Sequence, residues 1–292
     1  MNLSRSLREM RLASSVTALV LLASLPAFAA PLELPRPSPN AKLTQTVGLT
    51  DITIEYSSPA VHGRTIWGAL QPWGEVWRAG ANATTKLTFS REVTVGSVHV
   101  PAGSYAFFVI PNQTGPWTLI LNKDFEQGGS ANYKKELDVV RVDATPEAIS
   151  NRERLAYTFS NFTDDAGTLD LEWEKVRVSL PFKLGTEAQV AANIKAIKSD
   201  DWEGYASAAG YERLNRKDYD AGLAFAEKSI KAKATWQGEW AKAQLEAAKG
   251  DYKAAVASTE KAQKLGKDAP KFFQDGSAKS LAEWKAKSTA GK

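Results

Sequence analysis

After Gly185 the spacing of apolar residues changes, and this change limits what the chain can fold into. Before it, Ile52, Ile54 and Tyr56 alternate with Thr53 and Glu55, and Leu87 and Phe89 flank Thr88. A period of two belongs to half-buried strands. Val93, Val95, Val98 and Val100 surround Gly96-Ser97, which reads as a hairpin. Residues 105–110 form a nearly continuous apolar run, as a central strand does, and Pro111-Asn112 ends it. Further runs begin at Trp117, Val139, Leu155 and Leu169, the last extending to Val178 after a turn at Asp164-Asp165-Ala166-Gly167. About nine short strands with close turn signals predict an antiparallel β-sandwich or barrel over residues 42–184. Beyond Gly185, alanine and lysine become frequent and the apolar spacing becomes helical. The expected class is α+β by segregated domains: an antiparallel β-sandwich followed by an α-helical, repeat-like domain at 186–290.

The helical part repeats itself. Residues 217–231 and 250–264 are identical at seven of fifteen positions, at an offset of 33. Each copy reads as a short Asp-Tyr turn that starts a helix. Gly210, Gly222, Ala243 and Ala255 fall where helices would approach closely. The pattern resembles tetratricopeptide repeats, whose period is about 34 residues. That resemblance implies a surface for protein partners. Phe272, Phe273, Leu281 and Trp284 are candidates for a terminal cap over the last apolar face.

The first thirty residues read as an address. Arg5, Arg8 and Arg11 precede an apolar run from Leu12 to Leu25, and Ala27-Phe28-Ala29 follows Pro26. This is the layout of a secretory signal, with cleavage expected after Ala29 or Ala30. The run is shorter than the roughly 20 residues of a membrane span. Four prolines between residues 31 and 39 predict an extended lead-in over 31–41. The signal predicts an exported protein, periplasmic or extracellular, and the absence of cysteine, and so of any disulfide, fits a bacterial envelope better than a eukaryotic extracellular space.

Composition also removes several chemistries. Without cysteine there is no thiolate metal site and no cysteine nucleophile. With only His62 and His99, no histidine-rich metal centre can be assembled. No metal and no cofactor are predicted. Neither residues 31–185, at net −2, nor residues 186–292, at net +4, carry the local basic charge of a nucleic-acid footprint.

One segment is unusually dense in Gly, Pro, Trp and Arg. It runs Tyr56-Ser57-Ser58-Pro59, then Gly63-Arg64-Thr65-Ile66-Trp67-Gly68, then Pro72-Trp73-Gly74-Glu75-Val76-Trp77-Arg78-Ala79-Gly80-Ala81-Asn82. With Thr85, Pro101-Ala102-Gly103-Ser104-Tyr105 and Leu171-Glu172-Trp173-Glu174, it resembles the DUF2911 family of secreted bacterial proteins over about residues 35–182. The resemblance implies a β-rich domain and no particular activity.

Arg64 and Arg78 offer planar cationic forks suited to carboxylate or phosphate. Asn82 offers a donor and an acceptor, and Trp67 and Trp77 offer flat faces for stacking. If these five converge on one cleft, they would bind a small polar or anionic ligand. Otherwise they pin a long connection against the sandwich, because an irregular segment must satisfy its own backbone groups. His62 beside Ser57 and Ser58 lacks the Gly-x-Ser-x-Gly elbow of a hydrolase. Glu172 and Glu174, two residues apart on a strand, would share a face about 6.6–6.8 Å apart. The leading expectation is a non-catalytic, ligand- or partner-binding sandwich with a helical protein-interaction tail. The alternatives are an enzyme, hydrolase or isomerase, acting at Arg64, Arg78 and Asn82, or a purely structural envelope protein.

Overall fold

Ten strands precede six helices among the residues described by the computed structural model, 34–290. The expected signal sequence lies outside the described residues. From Pro37 onward the described residues form one compact unit. The strands are β1 (Asn40–Val47), β2 (Thr50–Ser57), β3 (Lys86–Phe89), β4 (Val93–Val95), β5 (Val98–Val100), β6 (Gly103–Ile110), β7 (Trp117–Asn122), β8 (Asp138–Ala144), β9 (Glu147–Ser160) and β10 (Ala166–Lys183). They form a six-stranded sheet, β1-β2-β3-β6-β7-β8, and a smaller sheet, β5-β4-β10-β9, all with antiparallel pairing.

The alternation seen in the sequence is the alternation of burial. Ile52, Ile54, Leu87, Phe89, Phe107 and Leu121 of the large sheet share one core with Leu155, Tyr157, Leu169, Leu171, Leu180 and Phe182 of the small one. The architecture is therefore a sandwich. A second apolar cluster lies on the outer face of the large sheet. There Ala106, Phe108 and Ile120 are covered by Val76 and by Phe125 and Tyr133 of the β7–β8 connection.

The strand β10 folds back on itself. The Asp170 carboxylate accepts from the Ser179 hydroxyl at 2.5 Å, and Glu172 accepts from Arg177 Nε at 2.7 Å. Nine residues of straight strand would separate Asp170 from Ser179 by about 30 Å. The chain reverses at Glu174-Lys175, where Glu174 takes φ 55° and its own carboxylate accepts from the Lys175 amide. Register shifts in the β9 pairing fall on either side of Glu174. The expected shared face for Glu172 and Glu174 is thus overturned: the turn separates them.

The helices are α1 (Thr186–Lys195), α2 (Trp202–Tyr211), α3 (Tyr219–Ala232), α4 (Trp236–Ala248), α5 (Tyr252–Leu265) and α6 (Lys271–Ala290). The fifteen-residue repeat coincides with α3 and α5 and their caps. Asp218 accepts from the Ala221 amide, and Asp251, 33 residues on, accepts from the Ala254 amide, both at 3.0 Å. Asp201 and Thr235 cap α2 and α4 in the same way. Each such cap satisfies one of the helix's orphan amides. Gly222 sits where helices meet: a Cβ there would lie 2.5 Å from Leu245 Cδ2 and 3.3 Å from the Ala209 carbonyl. Gly210 faces open space instead, contrary to the expectation for it. Of the four candidate cap residues, Phe273 and Trp284 are buried and pack on Trp236 and Trp240, whereas Phe272 is 73% exposed.

Candidate functional site

The segment rich in Gly, Trp and Arg crosses from one sheet to the other and back. It leaves β2 at Ser57 and runs beside β9, where the Val61 amide donates to Glu153 and the Leu155 amide to Pro59. The turn at His62-Gly63, with φ 48° and 66°, sends it away again. Trp77 then rejoins the large sheet, exchanging two backbone hydrogen bonds with Val109, at 2.8 and 2.9 Å.

Most of the segment's polar atoms hold this path in place. Arg64 donates from Nε to the Val61 carbonyl at 3.0 Å and from Nη2 to the Ala60 carbonyl at 2.5 Å. The Trp77 indole donates to the Gly80 carbonyl at 3.1 Å, and Asn82 donates to the Ser38 carbonyl at 3.1 Å. The Ala79 carbonyl receives two hydroxyls, Tyr157 at 2.7 Å and Thr85 at 3.0 Å. Ser58 donates to the Leu155 carbonyl and Ser57 to the Asn40 side chain, so neither hydroxyl forms a pair with the exposed His62.

Trp67 and Trp77 form part of a cluster of five indoles. Trp67 lies edge-on to Trp77, Trp117 and Trp173, with ring centroids 5.6, 4.6 and 5.8 Å away, and Trp73 reaches Trp117 at 6.4 Å. Such edge-to-face contacts each contribute about 0.5–1.5 kcal/mol beyond area burial. The indole N–H groups of Trp67 and Trp173 are buried without a partner.

Arg78 differs from the other four. Because Trp77 points into the core, its neighbours Val76 and Arg78 point to the opposite face, where Val76 joins the outer apolar cluster. Arg78 Nη1 lies 3.1 Å from where a Cβ on Gly129 would stand, and Gly129 has φ 89°. The buried Nε of Arg78 has no acceptor. Thr84 fixes the loop over it, donating to the Gln127 carbonyl at 2.5 Å and accepting from the Gly129 amide at 3.0 Å.

Thr84 also lines a groove of about 410 Å³ between β1, β2 and that loop. Asn40, Lys42, Glu55, Ser57, Lys86 and Phe125 are among its other walls. Glu55 lies 2.8 Å from Lys86 and 3.8 Å from Lys42. The hydrogen bond from Lys86 holds its carboxyl below the usual carboxylate range, outweighing partial desolvation. This trio was not singled out by sequence reasoning. The signal was present in the alternation of β2, which puts Glu55 on the face opposite Ile54.

Residues 38–182 match the family described as "Protein of unknown function (DUF2911)". The sandwich belongs to the DUF2911 family. Neither a curated protein nor a solved structure matches the chain. In the DUF2911 domain, Arg64, Trp77 and Thr85 of the family-like motif hydrogen-bond carbonyls of the crossover itself. Of the two arginines, Arg64 bonds the carbonyls of Ala60 and Val61, whereas the Arg78 guanidinium lies against Gly129. Among the described residues, no three His, Asp or Glu side chains are grouped to hold a metal ion, and no helix is long and apolar enough to cross a membrane.

Proposed function

We propose that this is an exported, non-catalytic binding protein. Its DUF2911 sandwich takes a small polar or anionic ligand on the outer face of the large sheet, and its tetratricopeptide-like helices contact a protein partner. The observation that carries this reading is the Lys42–Glu55–Lys86 groove, joined through Thr84 to the loop over Arg78. Two lysines against one carboxylate leave a surplus positive charge. A carboxylate held below its usual range is a poor general base at neutral pH, so the groove suits recognition better than proton transfer. The enzyme reading at Arg64, Arg78 and Asn82 is weakened because Arg64 and Asn82 are engaged with separate loop carbonyls. Export is supported by the cationic, apolar and small-residue layout of residues 1–30. The 33-residue repeat of capped helices supports the tetratricopeptide-like reading.

The test is a thermal-shift screen of the purified protein against sugars, sugar phosphates and organic acids, because a ligand that binds only the folded state raises the melting temperature by mass action. Stabilisation that disappears in Lys86→Gln and weakens in Arg78→Lys is expected. A response unaffected by either substitution would reject the groove as the site.

A further inference from the structure

The two sheets end in the edge strands β1, β8, β5 and β9, and three of these four edges are guarded. β5 is only three residues long. β8 carries Asp138, Arg141 and Asp143 and has a register shift against β7. β9 is covered by the crossover, through the Val61 amide to Glu153 and the Leu155 amide to Pro59. Shortness, charge, broken register and a covering segment are the usual devices that keep an edge from pairing with another chain. β1 has only one charge in their place. It pairs with β2 without a break over all eight of its residues, and contains neither proline nor glycine. Its Lys42 ammonium lies 3.8 Å from Glu55 of β2, back over its own sheet. Among the described residues, no other strand pairs with β1.

The register shows which backbone groups stand open. Just before β1, the Ser58 amide donates to the Pro39 carbonyl at 2.8 Å. Alternation along an antiparallel ladder then turns the odd-numbered residues of β1 toward β2, and the backbone groups of Asn40, Lys42, Thr44 and Thr46 toward the free edge. The Thr46 carbonyl already accepts from Gln45 Nε2 at 2.9 Å, so Lys42 and Thr44 are the open centre of the strand. Between them, Leu43 lies opposite the buried Ile54 on the core face, yet is 36% exposed.

We propose that β1 pairs antiparallel with β1 of a second copy of this chain, about a two-fold axis through Leu43, so that two six-stranded sheets become one. In this register Lys42 faces Thr44 of the partner subunit, and that pair and its symmetry mate exchange the open backbone hydrogen bonds. Leu43 faces the partner's Leu43, and each covers the other's exposed side chain. An axis through Lys42 would instead set two ammonium groups opposite each other, and an axis through Thr44 would set each leucine against Gln45. The strand is thus complementary to itself, which is what an isologous interface requires. The pairing also brings Thr46 and Thr44 of the partner subunit beside Asn40 and Lys42, two walls of the groove on the large sheet. It does not depend on what that groove binds.

Sedimentation velocity of the purified protein over a dilution series tests the pairing, and a reversible monomer–dimer equilibrium is expected. Thr44→Pro removes an amide that β2 does not use, the kind of position at which an edge strand accepts proline. It should weaken the dimer by roughly tenfold or more, since two backbone hydrogen bonds are lost per dimer. Should Thr44→Pro lose the far-UV circular dichroism of the parent, Leu43→Lys supplies the same measurement by placing like charges on the axis. Crosslinking reads the register. The chain has no cysteine of its own, and a non-hydrogen-bonded pair holds its Cα atoms about 4.5 Å apart, within disulfide reach. Leu43→Cys should therefore form a covalent dimer under mild oxidation, and faster than Gln45→Cys. A protein that stays monomeric throughout the series overturns the inference and leaves the edge to a strand of another protein. So does a dimer unchanged in the folded variants, open-ended assembly beyond the dimer, or equal crosslinking of the two cysteine variants.

Discussion

The Asp165 carboxylate accepts a hydrogen bond from the Thr186 backbone amide at 2.5 Å, so a turn of the sandwich caps the first helix of the helical part. Gly185, the residue at the cap position, has no side chain to do this and takes φ 63°. The Leu184 amide donates to the Asp165 carbonyl at 2.8 Å, fixing the same corner from the other side. An acidic group at a helix N-terminus also interacts favourably with the helix dipole.

Asp165→Ala is therefore expected to lower stability by about 0.5–2 kcal/mol, the usual cost of losing a capping acceptor. Asp165→Asn, which keeps an acceptor oxygen, should lose less. Urea unfolding of the two variants beside the parent protein checks both statements.

The reversal in β10 gives a second expectation. An L-residue at φ 55° costs roughly 1–2 kcal/mol relative to its favoured regions, and most for a β-branched side chain. Glu174→Gly should be tolerated, whereas Glu174→Val should cost about that amount. Equal midpoints for the two variants in urea would show that the turn is not strained.

Gly210 and Gly222 look alike in sequence and are opposite in space. Gly210→Ala is expected to stabilise α2 by about 0.5–1 kcal/mol, because nothing stands in the way of its Cβ. Gly222→Val forces Leu245 aside and should destabilise by about 1–3 kcal/mol, the range for overpacked cores. Thermal unfolding followed by circular dichroism reads both signs.

Glu246 on α4 is 9% exposed, and its Oε2 is buried without a partner. Burial pushes its carboxyl above the usual range, against the lowering pull of Ser258 and Lys242 and with some help from Asp251 and Glu239. The folded state then holds this proton at pH values where the unfolded chain has lost it. Stability from this group is complete below the ordinary value of 4.5 and is lost as pH rises through the raised folded value. Glu246→Gln should flatten that fall and raise the melting temperature at neutral pH. A melting temperature that rises with pH equally in both proteins would contradict it.

Much of this architecture was legible as periodicity. The pattern gave the sandwich strands because parity reports which face is buried: Ile52 and Ile54, or Leu87 and Phe89, occupy one side with no exception. It missed β1, whose residues from Asn40 to Thr46 are at most half-buried on a sheet edge and so carry no alternation. It also read Leu169 to Val178 as one straight strand. The signal for the turn was there. Leu169, Leu171 and Trp173 are odd-numbered, while Val178, Leu180 and Phe182 are even-numbered, and an inserted two-residue turn produces that shift. The polar cluster was less legible, because residue type alone does not distinguish an arginine that clamps a ligand from one that, like Arg64, clamps its own loop. That difference depends on which carbonyls the path brings within reach.

The tryptophans have an optical consequence. Trp77 stacks on Trp173 in the sandwich with centroids 5.7 Å apart and planes at 24°, and Trp240 stacks on Trp284 among the helices at 5.6 Å and 24°. Two indoles so close share their excited states, and each pair should give a coupled near-ultraviolet circular dichroism band. The helical and β-rich parts thus each carry built-in chromophores, the Trp240–Trp284 pair in one and the five-indole cluster in the other. Trp284→Phe would remove the band of the helices, and Trp173→Phe would alter that of the sandwich, each leaving the other in place. With the bands assigned, a single denaturation experiment would show whether the two parts melt together or in sequence, with no label attached and neither part cut from the other.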